Sequence, residues 1–187
     1  MAKAYSSGQK KKFLDPALLG EAVDQVGALA RRERVRVVLI GGFALQLYGS
    51  DRLTGDVDFA AAQRIDALPR GEPLSFGGEQ THAPNGVPVD LVLRQDDYAG
   101  LYEEAIERAT KIPGVAVPVV RPEYLAAMKM VAGRGRDEAD LAFLIVSEIV
   151  NPSKARRVIR QHLGPYAAGE FDQLVDEVRW RASRGEV

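Results

Sequence analysis

Val38-Leu39-Ile40-Gly41-Gly42-Phe43-Ala44 is followed by Arg52-Leu53-Thr54-Gly55-Asp56-Val57-Asp58-Phe59. The apolar, β-branched run from Val35 to Ile40 reads as a strand buried on both faces. Gly41 and Gly42 break it, and Phe43 to Tyr48 reads as a short helix. Glycine lets the backbone approach a phosphate closely, and a helix start offers unpaired N–H groups. Alone, such a turn is also an ordinary way to pass from strand to helix. Asp56 and Asp58 add weight. They stand at i and i+2 on a second short strand, Asp56 to Ala60, so both point to one face. Val57 and Phe59 point the other way, into a core. Two carboxylates side by side repel, and a divalent cation between them reverses that cost. Two-metal phosphoryl transfer needs oxygen ligands of this kind, with ions about 3.5–4 Å apart. A lone Asp-x-Asp would equally fit a solvated strand end.

A third acid sits in a matching place. Asp90 interrupts Val87-Pro88-Val89-Asp90-Leu91-Val92-Leu93, an otherwise apolar strand with Pro88 near its start. A carboxylate buried in such a strand needs a partner, and a metal shared with Asp56 and Asp58 supplies one. The other reading is an outward-facing acid on an alternating strand, with Val89 and Leu91 facing inward.

The rest of the chain frames these residues. Residues 1–13 read as a loose arm with a basic run at Lys10, Lys11 and Lys12. Asp15 and Pro16 open a helix to about Arg32, with Leu18, Leu19, Ala22, Val23, Val26 and Leu29 as its apolar stripe. Between the acid strands, prolines and glycines predict hairpins and loops, with a strand around Leu74 to Phe76. Tyr98 to Thr110 reads as helical, and Val115 to Val120 as a short strand or extended segment. After Pro122 the pattern is helical throughout. It comprises Glu123 to Val131, Asp137 to Val150, and two more helices punctuated by Pro152 and Gly164-Pro165. Tyr48, Tyr98, Tyr102, Trp180, Met128 and Met130 are expected to be packing residues rather than base-stacking platforms.

The 25 Lys and Arg nearly balance 26 Asp and Glu. Such a chain has no global field for nucleic acid, so an RNA partner would need a local basic patch. The absence of cysteine excludes disulfides, thiolate zinc sites and a cysteine nucleophile. His82 and His162 are far apart in sequence. Oxygen ligands are left, and these favour Mg²⁺ or Mn²⁺. No apolar stretch follows the basic run as a signal peptide would require, and none reaches the ~20 residues of a membrane span. A cytoplasmic protein without a membrane partner is the expectation.

The order Gly41-Gly42, Asp56-Val57-Asp58, Val89-Asp90-Leu91 resembles the polymerase-β nucleotidyltransferase superfamily. It resembles most nearly the AbiEii/MenT-like toxin nucleotidyltransferases and related families. Their Gly-Gly-x-Ala-Leu turn matches Gly41-Gly42-Phe43-Ala44-Leu45, and their Arg-x-Thr matches Arg52-Leu53-Thr54. Their later Lys, Arg-Lys-Asp and Asp-Leu match Lys129, Arg134-Gly135-Arg136-Asp137 and Asp140-Leu141, with Arg136 in place of a lysine.

The resemblance implies an α/β (α+β) nucleotidyltransferase fold. A small mixed sheet flanked by helices would occupy residues 14–120, and a helical region residues 121–187. It also implies roles. Asp56, Asp58 and Asp90 would bind the metal, and Asp90 would act as base. Gly41 and Gly42 would hold the β and γ phosphates of an NTP such as ATP. Arg52 and Thr54 would touch the triphosphate or order the loop, and Lys129 would neutralise phosphate charge. Asp137 or Asp140 would orient basic groups or help the acceptor. Without the resemblance, Asp140 would be read as a surface ion pair with Arg136, four residues before it. The expected reaction is Mg²⁺-dependent transfer of an NMP to an acceptor hydroxyl. An RNA such as a tRNA 3′ end is favoured, held by Arg134, Arg136, Lys154, Arg156, Arg157 and Arg160, in a toxin–antitoxin setting with a toxin or antitoxin partner. A protein hydroxyl, as in adenylylating antitoxins, comes second and an antibiotic third. A non-catalytic nucleotide- or partner-binding module is the rival from another class.

Overall fold

The computed structural model describes residues 13–186. The expected arm lies outside the described residues except for Phe13. Helix α1 (Pro16–Glu33) begins as its sequence dictates: the Asp15 carboxylate accepts the Ala17 N–H at 2.8 Å, and Pro16 opens the first turn. Leu19, Ala22, Val23, Val26 and Ala30 are buried, while Leu18 falls off the edge of the stripe into solvent.

Five strands form one mixed sheet in the order β1-β2-β5-β4-β3. They are β1 (Val37–Ile40), β2 (Val57–Ala61), β3 (Glu72–Pro73), β4 (Gly78–His82) and β5 (Pro88–Val92). Only β2 and β5 run parallel, as the register of these neighbours shows. Pro88 is the first residue of β5, where a missing N–H costs least. Val115 to Val120 is not a full strand. It lies along β1 instead, with Leu39 N–H donating to Pro118 O and Val120 N–H to Leu39 O, both at 2.9 Å.

The expected strand at Leu74 to Phe76 is a turn that joins β3 to β4. Gly77 and Gly78 have φ of +100° and +94°, a geometry that reverses the chain, and Leu74 N–H closes on Gly78 O at 3.0 Å. Short helix α2 (Gly41–Leu47) follows β1, and α3 (Ala99–Glu107) follows β5. The remainder is helical as expected: α4 (Pro122–Ala132), α5 (Gly135–Val146), α6 (Pro152–Leu163) and α7 (Pro165–Ser183). Helix α5 stops short of Val150 because Glu148 takes a left-handed φ of 55° and Pro152 starts the next helix.

The chain is thus a mixed α/β protein with a helical C-terminal part. One hydrophobic core runs through both parts and includes Phe59, Leu91, Leu125, Leu144, Ile159 and Phe171. No described helix is long and apolar enough to cross a membrane. Among the described residues the buried polar side chains are Thr54, Asp56, Thr81, Lys129, Asp137 and Asp140. Thr81 donates to Pro69 O at 2.7 Å, away from the rest. The others gather at one place.

Candidate active site

That place is a cleft of about 490 Å³ between the sheet face and α4. The sheet register builds its floor. Asp58 on β2 stands directly beside Asp90 on β5, and Ile40, just before the glycines, stands on Asp58's other side. Asp56 precedes β2 by one residue and is 4% exposed. Ligand oxygens of Asp56, Asp58 and Asp90 all lie within 4.8 Å of one another. Three acids this close suit a hard divalent cation, whose preferred ligands are carboxylate oxygens. The residues present therefore fit such a divalent ion.

Neighbours hold two of these acids in place. Thr54 donates its hydroxyl to Asp56 Oδ1 at 2.8 Å. That bond links the loop before β2 to Asp56. Gln80 Nε2 donates to Asp90 Oδ1 at 2.7 Å. Gln80 faces Asp90 across the β4–β5 pair, so both side chains rise from one face. Sequence reading missed it, because the signal lies in a register that an irregular hairpin sequence does not disclose. Gln80→Leu should leave the fold intact and weaken Mg²⁺ binding by about tenfold to a hundredfold, as loss of a ligand-orienting partner does. A metal titration followed by calorimetry checks this.

Gly41 has a structural duty beside any phosphate role. Its φ is +69°, and a Cβ there would run into the Asp58 carboxylate. Gly41→Ala is expected to displace Asp58 and abolish Mg²⁺-induced thermal stabilisation. Gly49→Ala, also at positive φ but with open space around it, should retain that stabilisation. Melting curves with and without Mg²⁺ separate the two. Gly42 packs tightly too: a Cβ would come within 3.0 Å of Arg52 Nη1 and of Thr54 Oγ1.

The second cluster forms the cleft's side wall. Lys129 on α4 donates to Asp137 Oδ1 at 2.8 Å and to Asp140 Oδ2 at 2.6 Å. Arg52 Nη1 shares Asp140 Oδ2 at 3.1 Å. Asp137 Oδ2 also accepts the Arg134 N–H at 3.1 Å, capping α5. Asp140 is 4% exposed, so it is no surface ion pair with Arg136; its partners are Lys129 and Arg52. Asp137 and Asp140 thus hold Lys129, Arg52 and the first turn of α5 through these contacts. Three buried groups and the partly exposed Arg52 thus tie α4 and α5 to the loop before β2.

Arg134 and Arg136 line the cleft, whereas Arg156 pairs with Asp172 on α7 at 2.6 Å. Lys154, Arg157 and Arg160 are exposed on α6. Tyr102 packs against the core, and both Tyr98 and Tyr102 line the cleft, around Arg94. Burial pushes the Tyr102 hydroxyl above its ordinary pKa; Arg94 opposes this, and Asp58 adds to it across the cleft. Tyr48 donates to Val120 O at 2.7 Å, and burial raises its pKa to about 12. Trp180 is largely exposed on α7, stacked with Arg184.

No protein-family model matches the chain, and no curated protein matches it. Among solved structures, it is similar to an antigenic nucleotidyltransferase-like protein from Paracoccidioides brasiliensis, at 15% identity and a TM-score of 0.47 over 79% of each chain. It is also similar to the antibiotic-resistance factor ANT(2'')-Ia, at 16% identity and a TM-score of 0.47 over 92% of this chain and 97% of that one.

Proposed function

We propose that this chain is a divalent-metal-dependent nucleotidyltransferase that moves an NMP from an NTP to an acceptor hydroxyl and releases pyrophosphate. The observation that carries the reading is the in-register pair Asp58 and Asp90, joined by buried Asp56 beside a glycine turn. Three carboxylates held this close repel one another, and a bound divalent cation offsets that cost. Mg²⁺ or Mn²⁺, when bound to Asp56, Asp58 and Asp90, supplies Lewis-acid stabilisation of charge on the transferring phosphoryl group.

The chain's own groups do the rest. Gly41 and Gly42 receive the β and γ phosphates. Lys129 and Arg52, held by Asp137 and Asp140, place positive charge along the same wall. Asp90, oriented by Gln80, takes the proton of the acceptor hydroxyl. The hydroxyl oxygen then bonds to the α-phosphorus, the bond from that phosphorus to the bridging oxygen breaks, and pyrophosphate leaves. The favoured acceptor is an RNA such as a tRNA 3′ end. Arg134 and Arg136 at the cleft, with exposed Lys154, Arg157 and Arg160, supply phosphate contacts. A role within a toxin–antitoxin pair follows the resemblance in the glycine turn and the acid motifs.

The test is incubation with each of four α-³²P-labelled NTPs, Mg²⁺, cellular RNA and cellular protein, resolved on a denaturing gel. Label in RNA supports the reading. Label in protein moves the acceptor to a polypeptide hydroxyl. Mg²⁺-dependent NTP binding with no labelled product leaves a binding module or a small-molecule acceptor such as an antibiotic.

A further inference from the structure

The cleft does not end at the acids. Asp90, Val92 and Arg94 all line it, because alternate residues of β5 and its continuation share one face. Four extended residues span about 13 Å. At the far end, the Arg94 guanidinium carbon lies 5.6 Å from the Phe76 ring centre and 5.2 Å from each of those of Tyr98 and Tyr102. Its Nη1 donates to Phe76 O at 3.3 Å, and its Nε pairs with Asp96 at 3.1 Å. The Arg94 side chain is only 6% exposed. A full charge is thus held among three rings that come from the β3–β4 turn, the segment before α3, and α3 itself. This fixes the rings, yet each is only half-buried and each lines the cleft.

We propose that Phe76, Tyr98 and Tyr102, braced by Arg94, form the nucleobase subsite of the cleft. The proposal rests on the reading of the acid triad as a nucleoside-triphosphate site. The two ends of the cleft then divide the ligand by chemistry. Acids, glycines and the Lys129 cluster serve the charged triphosphate, and a preorganised aromatic wall serves a flat π-faced group at a nucleoside's reach. A triphosphate gains nothing from such a wall. Stacking on it does not read base edges, so all four bases should bind with similar strength.

The test is calorimetric binding, in Mg²⁺, of α,β-methylene analogues of the four NTPs and of inorganic triphosphate. It compares the parent chain with Phe76→Leu, Tyr98→Leu and Tyr102→Leu, each checked for folding by circular dichroism. Tyr102→Phe keeps the ring and should bind like the parent. The leucine variants should weaken every nucleotide by about tenfold to a hundredfold and leave inorganic triphosphate unchanged. Equal loss for nucleotide and inorganic triphosphate, or no loss for either, overturns the subsite. A parent that binds inorganic triphosphate as tightly as nucleotide overturns the subsite alone. A parent that binds neither overturns the triad reading, and the subsite with it.

Discussion

Asp58→Asn should cut NMP transfer by roughly a thousandfold or more while leaving the protein folded. Asp58 sits at the centre of the site, with Asp90 beside it on the parallel strand and Gly41's backbone packed against its carboxylate. Asparagine keeps that shape and removes one of the charges that would hold the cation. Thermal melting gives a second readout that needs no acceptor. At a metal concentration about a hundred times Kd, the parent should gain roughly 5–10 °C from Mg²⁺, and the variant almost none. A variant that retains both the metal-dependent gain and the transfer activity would show that the three acids are not the metal centre.

Lys129→Met should destabilise the fold by about 3–5 kcal/mol in urea unfolding. Methionine preserves most of the stem's packing but leaves Asp137 and Asp140 buried without their shared ammonium. Arg52 still reaches Asp140, so the greater strain falls on Asp137, which keeps only the Arg134 N–H. Adding Asp137→Asn to Lys129→Met should therefore recover much of the loss. If Lys129→Met cost less than about 1 kcal/mol, the cluster would be behaving as a solvated surface pair, contrary to its burial. Transfer activity should fall in both variants, because the lysine faces the cleft as well as the acids.

How far the sequence could be read differs from element to element. The run Val35 to Ile40, the stripe of α1 and the Pro and Gly marks between the late helices carried their own periodicity or caps. These elements form near where expected, with β1 starting at Val37 and α5 ending at Val146. Leu74 to Phe76 misled because the alternation Leu-Ser-Phe is strand-like, yet two glycines beside it set the backbone into a reversal. Asp56 and Asp58 were legible because a two-residue spacing in extended chain fixes a common face by local geometry, although β2 starts at Val57 and leaves Asp56 just outside it. Asp90 was legible because its apolar strand made a charge costly there.

Pairing was not legible in the same way. Nothing local sets β5 parallel to β2 with Asp90 opposite Asp58, or brings Gln80 to Asp90. Lys129, Asp137 and Asp140 could be listed as candidates, but their mutual burial depends on how α4 and α5 pack and on Arg52 arriving from the loop before β2. The same holds for Arg94 and its three rings, drawn from segments far apart along the chain. The sequence by itself determined the elements and the donor types at the site, since period, caps and residue chemistry act over a few neighbours. Only the tertiary structure decided which donors share a cavity and which charges lose water, because those follow from long-range packing and the dielectric it creates.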